Sequence, residues 1–149
     1  MESGRRSSTG MTLLELLMVV VIVAVLAAIA VPTYTRTVER GYWRQANDLL
    51  FTIYHGERSY FLTNAEYVDG LVACNGGTKC MGEWRKISMD DPNGAQNGPV
   101  RYSVTTDATK TKSFTATATR IGGSCNNRTQ TIDQNRVATT GWPQSGTCP

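Results

Sequence analysis

Glu15 is the only acid, and no Lys, Arg or His accompanies it, in the stretch TGMTLLELLMVVVIVAVLAAIAVPTY that ends at Tyr34. An isolated carboxylate is very costly in a low dielectric, so it calls for a cation, a proton or a local hydrogen bond. Thr12-x-x-Glu15 offers the last of these as a capping box at a helix start. A second chemistry-bearing set is Cys74, Cys80, Cys125 and Cys148, an even count that follows a targeting segment. That arrangement favours disulfides in an oxidising compartment over zinc, which would want paired Cys-x-x-Cys or histidine ligands. Four cysteines allow three pairings; Cys74–Cys80 with Cys125–Cys148 is preferred because each closes a loop rich in Gly and Asn. The single histidine, His55, has no partner in sequence and reads as a helix-surface residue. With no nucleophile elbow, phosphate loop or metal motif, neither catalytic residues, a cofactor nor a metal is expected. Lys110, Lys112, Arg120, Arg128 and Arg136 could form a basic stripe on or near strands, a possible nucleic-acid contact, although solvated charge is the ordinary fate of such residues.

The elements that must carry these residues divide the chain by solvent. Its 149 residues suffice for one domain plus an appendage. The formal net charge is +3; loss of residues 1–10, with one acid and two arginines, would leave +2, which signals no polyanionic partner. Leu16 to Val31 is an unbroken apolar run of sixteen, whereas the chain beyond Asn64 is polar and rich in Gly and Thr. Val38, Tyr42, Ala46, Leu49, Leu50 and Ile53 then recur at helical spacing, opposite Arg36, Glu39, Arg40, Arg44 and Asp48. A helix from Met11 to Phe61 would span about 75 Å, with Pro32 kinking or opening it and Asn64 a plausible stop.

Residues 65–99 read as a connecting loop anchored by Trp84 and Ile87. Val100–Val104, Ser113–Thr119, Asn127–Ile132 and Arg136–Thr139 alternate and carry many β-branched residues, so three or four antiparallel strands are expected to pack on the helix in an α+β fold. The predicted organisation is therefore a leader at 1–10, an apolar helix at 11–32, its amphipathic continuation at 33–64, the loop at 65–99, and a sheet with a disulfide-closed end at 100–149.

The N-terminus admits a signal peptide, with Ala28-Ile29-Ala30 as the cleavage site, leaving a secreted protein that begins at Val31. Nothing beyond Arg5-Arg6 supports a twin-arginine route. It also admits a membrane anchor, since Met11 to Val31 has 21 residues, enough to cross a bilayer. Arg36, Arg40 and Arg44 follow the run closely, against the positive-inside rule, yet the cysteines place the C-terminal side outside the cytoplasm.

Gly10-Met11-Thr12-Leu13-Leu14-Glu15-Leu16-Leu17, with Pro32 closing the apolar run, resembles the start of type IV prepilins and their pseudopilin relatives. The resemblance implies cleavage between Gly10 and Met11 by a membrane prepilin peptidase, which then N-methylates Met11. Met11 stands where the family usually has Phe. Cleavage would create an amine cation at the helix start, and Glu15 of one subunit could meet the Met11 amine of a neighbour. Such a buried pair would set register more than it adds stability.

Tyr60, Phe61, Asn64 and Tyr67, with a looser match from Ser113 to Cys148, resemble the small PilE-like minor pilins. The implied fold is a pilin: a long helix packed on an antiparallel sheet. The implied function is a structural type IV pilus subunit, a minor pilin serving motility, adhesion or DNA uptake. Its implied partners are other pilin subunits, the peptidase, an inner-membrane assembly platform and the membrane itself through Met11–Val31. It would reside in the inner membrane, head in the periplasm, before joining an extracellular pilus. A type II secretion pseudopilin is the alternative, though that family commonly has a calcium loop in place of a C-terminal disulfide. A DNA receptor acting through the basic stripe is a further one.

Overall fold

A computed structural model describes residues 11–72, 78–94 and 98–148. Helix α1 spans Leu13–Asn64 and is followed by α2, Thr78–Lys86. Strands β1, Val100–Thr106, β2, Phe114–Arg120, β3, Thr129–Asp133, and β4, Ala138–Thr140, form one antiparallel sheet in the order β1-β2-β3-β4. The chain divides into two compact units, one ending at Thr35 and the other beginning at Arg36.

In the first unit Thr12 caps the helix: its hydroxyl accepts from the Glu15 N–H at 3.2 Å, and its carbonyl from Leu16 N–H. This is one half of the expected capping box. The helix continues through Pro32, which can donate no backbone bond. Thr33 and Thr35 add side-chain bonds there, to the carbonyls of Ile29 and Pro32. The apolar residues from Leu13 to Val31 are exposed, and this part of α1 is long and apolar enough to cross a membrane.

The second unit has the core. Ala46, Leu50 and Ile53 recur at steps of four and three on one buried face of α1, opposite the inner face of the sheet. That inner face alternates along each strand: Val100, Tyr102 and Val104; Phe114, Ala116 and Ala118; then Ile132. Alanines on β2 leave room for the helix to approach. The outer face is hydroxylic, with Ser103, Thr117, Thr131 and Thr139 facing one another in successive registers. The segment expected as loop contains α2, whose Trp84 is fully buried, as is Ile87 just beyond it, so both predicted anchors are in the core.

The outer edge of β1 is covered without a further strand. Leu71 bridges Val104, Asp69 accepts from Thr106 N–H, and Asn93 both donates to the Tyr102 carbonyl at 3.0 Å and accepts its N–H at 2.7 Å.

Candidate functional site

The antiparallel register sorts the five cations of the expected stripe. Thr115 pairs with Asp133, so the β1–β2 and β3–β4 turns lie at the same end of the sheet. Lys110, Lys112 and Arg136 are therefore neighbours at a tip, all exposed. Thr119 pairs with Thr129, so Arg120 and Arg128 lie at the other end, about 20 Å away along β2. The stripe is thus two groups, and one member leaves it altogether.

Arg120 is buried, not a surface contact. Its Nε and Nη2 donate to both Glu39 oxygens at 2.9 and 2.8 Å, and Nη1 donates to the Pro99 carbonyl. Its guanidinium also lies 4.4 Å from the centre of the Tyr42 ring. The side chain alternates inward on β2, so strand periodicity alone sends it to the core. Gly123 follows with φ +68°, and a Cβ there would collide with both members of the ion pair. The pair therefore fixes the β2–β3 loop against α1.

The C-terminal segment is pinned at the same end. Cys125 and Cys148 form a disulfide, as the sequence predicts, with Cα atoms 5.2 Å apart. Arg40 Nε donates to the Ser145 carbonyl at 2.8 Å, and Gly146, at φ +69°, sits against the Arg36 backbone where no side chain would fit. The Cys74–Cys80 pairing, Gly10 and the leader lie outside the described residues.

At the tip the two turns are built around aspartates. Asp107 accepts from the N–H groups of Thr109, Lys112 and Ser113 and from the Thr109 hydroxyl. The Thr109 hydroxyl bond first, and these backbone bonds with it, hold the Asp107 carboxyl well below the usual carboxylate range. Asp133 accepts from Asn135 and Val137 N–H in the same manner. Lys110 and Arg136 have φ of 58° and 64°, a left-handed backbone that favours Gly or Asn. Arg136 lies 5.3 Å from the Phe51 ring centre, and none of the three tip cations has an ion-pair partner among the described residues.

Helix α1 reaches this tip through aromatic contacts. Phe61 stacks on Tyr67 at 4.5 Å, and Tyr67 and Tyr54 both meet Phe114 on β2, so these aromatics pack the end of α1 on the sheet. Glu57 is fully buried beside them; one oxygen accepts from Val68 N–H at 2.9 Å and the other has no partner. Burial, outweighing that hydrogen bond and helped by nearby Asp69, pushes its carboxyl up to about 7. His55 is exposed on the helix, as expected, edge-on to Tyr54. No cluster of three or more metal-ligating side chains occurs among the described residues.

Glu39, expected on the polar face of α1, is instead buried, where the Arg120 guanidinium satisfies both its oxygens; the burial of Glu57 and the capping by the two aspartates were not among the expectations. The signals available were an acid on the apolar stripe of α1 at 57, and an Asp at the start of each hairpin turn.

Two family models match the chain. The prokaryotic N-terminal methylation motif matches residues 5–31, a span that contains Gly10, Met11 and Glu15. The model described as type IV minor pilin ComP, DNA uptake sequence receptor, matches residues 32–132, well over half the chain. No curated protein and no solved structure matches it. With a helix from Leu13 to Asn64, a four-stranded antiparallel sheet and both matches, the chain is a type IV pilin subunit and belongs to the minor pilin ComP family.

Proposed function

We propose that this minor pilin is a DNA receptor of the pilus, binding duplex backbone through Lys110, Lys112 and Arg136. The observation that carries the reading is the placement of these cations on two turns at the same end of the sheet, exposed and without ion-pair partners among the described residues. Two of them occupy left-handed positions where Gly would be easier, which supports a role for the side chains themselves. The matched family's description points the same way. Phosphate contacts of this kind position DNA and make affinity fall with salt.

Before reaching that state, the chain is cleaved between Gly10 and Met11 and N-methylated at Met11. It then anchors through Met11–Val31 and enters the filament with Glu15 paired to a neighbour's Met11 amine. The methylation-motif match and the exposed apolar helix support this course. Intact mass and N-terminal mapping of protein from sheared filaments test it: methylated Met11 is the expected terminus, and a chain beginning at Val31 would end the pilin reading.

For the receptor, fluorescence anisotropy on labelled duplex DNA is the test. In the K110Q/K112Q/R136Q variant the slope of log affinity against log salt should shrink by about 0.9 for each contact removed. An unchanged slope and affinity would refute this tip as the binding surface.

A further inference from the structure

We propose that the cleft between α1 and the β3–β4 flank of the sheet binds one neutral sugar ring, the hexose at the end of a glycan. The cleft lies wholly within the unit that begins at Arg36, and none of the tip cations assigned to DNA lines it.

Its volume is about 190 Å3. Trp43, Asn47 and Phe51 line it from α1, Gln130 and Thr140 from β3 and β4, and Gln144 from the C-terminal segment. Clefts for drug-sized ligands run from about 300 Å3 upward, so this one has room for a single ring.

The three side-chain amides of this lining are uncommitted toward the cleft. Gln130 is only 3% exposed, and its Nε2 donates to the Trp43 carbonyl at 3.3 Å. Its Oε1 accepts from no described residue and is not sealed in, so it opens into the cleft. An acceptor that the fold leaves without a donor must find one in solvent or a ligand. Asn47, half-buried, and Gln144, exposed, make no side-chain hydrogen bond among the described residues either.

The chemistry of the lining selects the occupant. No ionisable side chain is among the lining residues, so charge gives a ligand no advantage there. An amide presents donors and an acceptor together, which matches a sugar hydroxyl, itself both donor and acceptor. Rings such as Trp43 and Phe51 offer apolar surface to the C–H face of a pyranose while the amides take its rim. A nucleobase would also suit amides, but in duplex DNA it must first be unpaired and extruded, a cost that a glycan end does not incur. At ordinary ligand efficiency, a ring of about a dozen heavy atoms binds with a Kd of about a millimolar.

The experiment titrates the full chain, in a sugar-free detergent, with the methyl glycosides of glucose, galactose and N-acetylglucosamine. Trp84 and Trp142 are fully buried, so acrylamide quenching of the fluorescence reports chiefly on Trp43. At least one glycoside should protect Trp43, with a Kd of about a millimolar. The N47A/Q144A variant should bind it at least about tenfold more weakly, with thermal unfolding and duplex DNA affinity unchanged. Neither position is in the core, and alanine suits a helix at 47. K110Q/K112Q should leave sugar binding intact; its loss there would overturn the proposal by moving the sugar to the tip. Absence of protection by all three glycosides, or undiminished binding by N47A/Q144A, would also overturn it. So would thymidine or deoxyadenosine protecting Trp43 at lower concentration than every glycoside, which would assign the cleft to an extruded base.

Discussion

Glu39 and Glu57 lie on the same buried face of one helix, five turns apart, and meet opposite fates. Glu39 has both oxygens on the Arg120 guanidinium. Glu57 has one N–H for one oxygen and nothing for the other, and its carboxyl is pushed up to about 7. Each glutamate marks one end of the sheet. At the Glu39 end, an ion pair, a disulfide and a close-fitting Gly123 lock the loops down, and Arg120 is consumed by structure. At the Glu57 end, aspartate-centred turns hold the backbone while the cations stay outside. The contrast teaches that a basic residue stays available at the surface where another group shapes the backbone, as Asp107 and Asp133 do for the tip turns, and is lost to the core where it must neutralise a buried acid, as Arg120 does.

Breaking the locked end should have the largest effect. Glu39→Ala leaves Arg120 buried without its partner, which costs about 3–5 kcal/mol; chemical denaturation of the full chain should show that loss, against within about 0.5 kcal/mol for Lys110→Ala at the tip. A loss below about 1 kcal/mol for Glu39→Ala would mean that the pair does not lock this end. Removing the Cys125–Cys148 bridge comes next. Its 23-residue separation corresponds to about 3.5 kcal/mol of loop-closure entropy. Amide exchange should then accelerate in the β2–β3 loop and around Ser145, leaving the tip turns unchanged; uniform acceleration would erase the distinction between the ends.

Glu57 supplies the pH test. Between its ordinary 4.5 and about 7 the folded protein holds a proton that the unfolded chain has released. Stability from this group is therefore full below pH 4.5 and declines as pH rises through 7, by about 3 kcal/mol in all. Urea midpoints should be lower at pH 8 than at pH 5, and Glu57→Gln should flatten the difference. A wild-type profile that rises over this interval while Glu57→Gln leaves it unaltered would show that Glu57 is not neutral at low pH. The smallest effect belongs to Asp107→Ala. Loss of the turn's acceptor should raise amide exchange at Lys112 and Ser113 about tenfold. It should also weaken DNA binding less than K110Q/K112Q/R136Q does, because the lysines remain but are no longer positioned.

Much of this arrangement was legible in the chain. The period of Val38 to Ile53 and the alternation from Val100 onward carry their own geometry, so helix and strands fall close to where periodicity puts them. The Cys125–Cys148 bond was legible as a preference, because both cysteines close loops rich in turn residues. Arg120 was misread because its type suggests a surface, whereas its parity on β2, shared with Ala116 and Ala118, points it inward. The α2 helix was not seen, since nine residues with a central Gly82 carry too weak a period. The sorting of Lys110, Lys112 and Arg136 from Arg128 depends on register between strands, a long-range property that no local pattern encodes.

Asn93 has a consequence for life in a crowd. Together with Leu71 and Asp69 it occupies the outward N–H groups of Tyr102, Val104 and Thr106, so this flank of the sheet is blocked against a stranger's backbone over those residues. The opposite flank, β4, is three residues long. Open-ended stacking of sheets needs two available flanks on every molecule; with one closed, edge pairing between copies stops at a couple and cannot propagate. Wherever many copies crowd together, the sheet is then barred from building a fibre of its own.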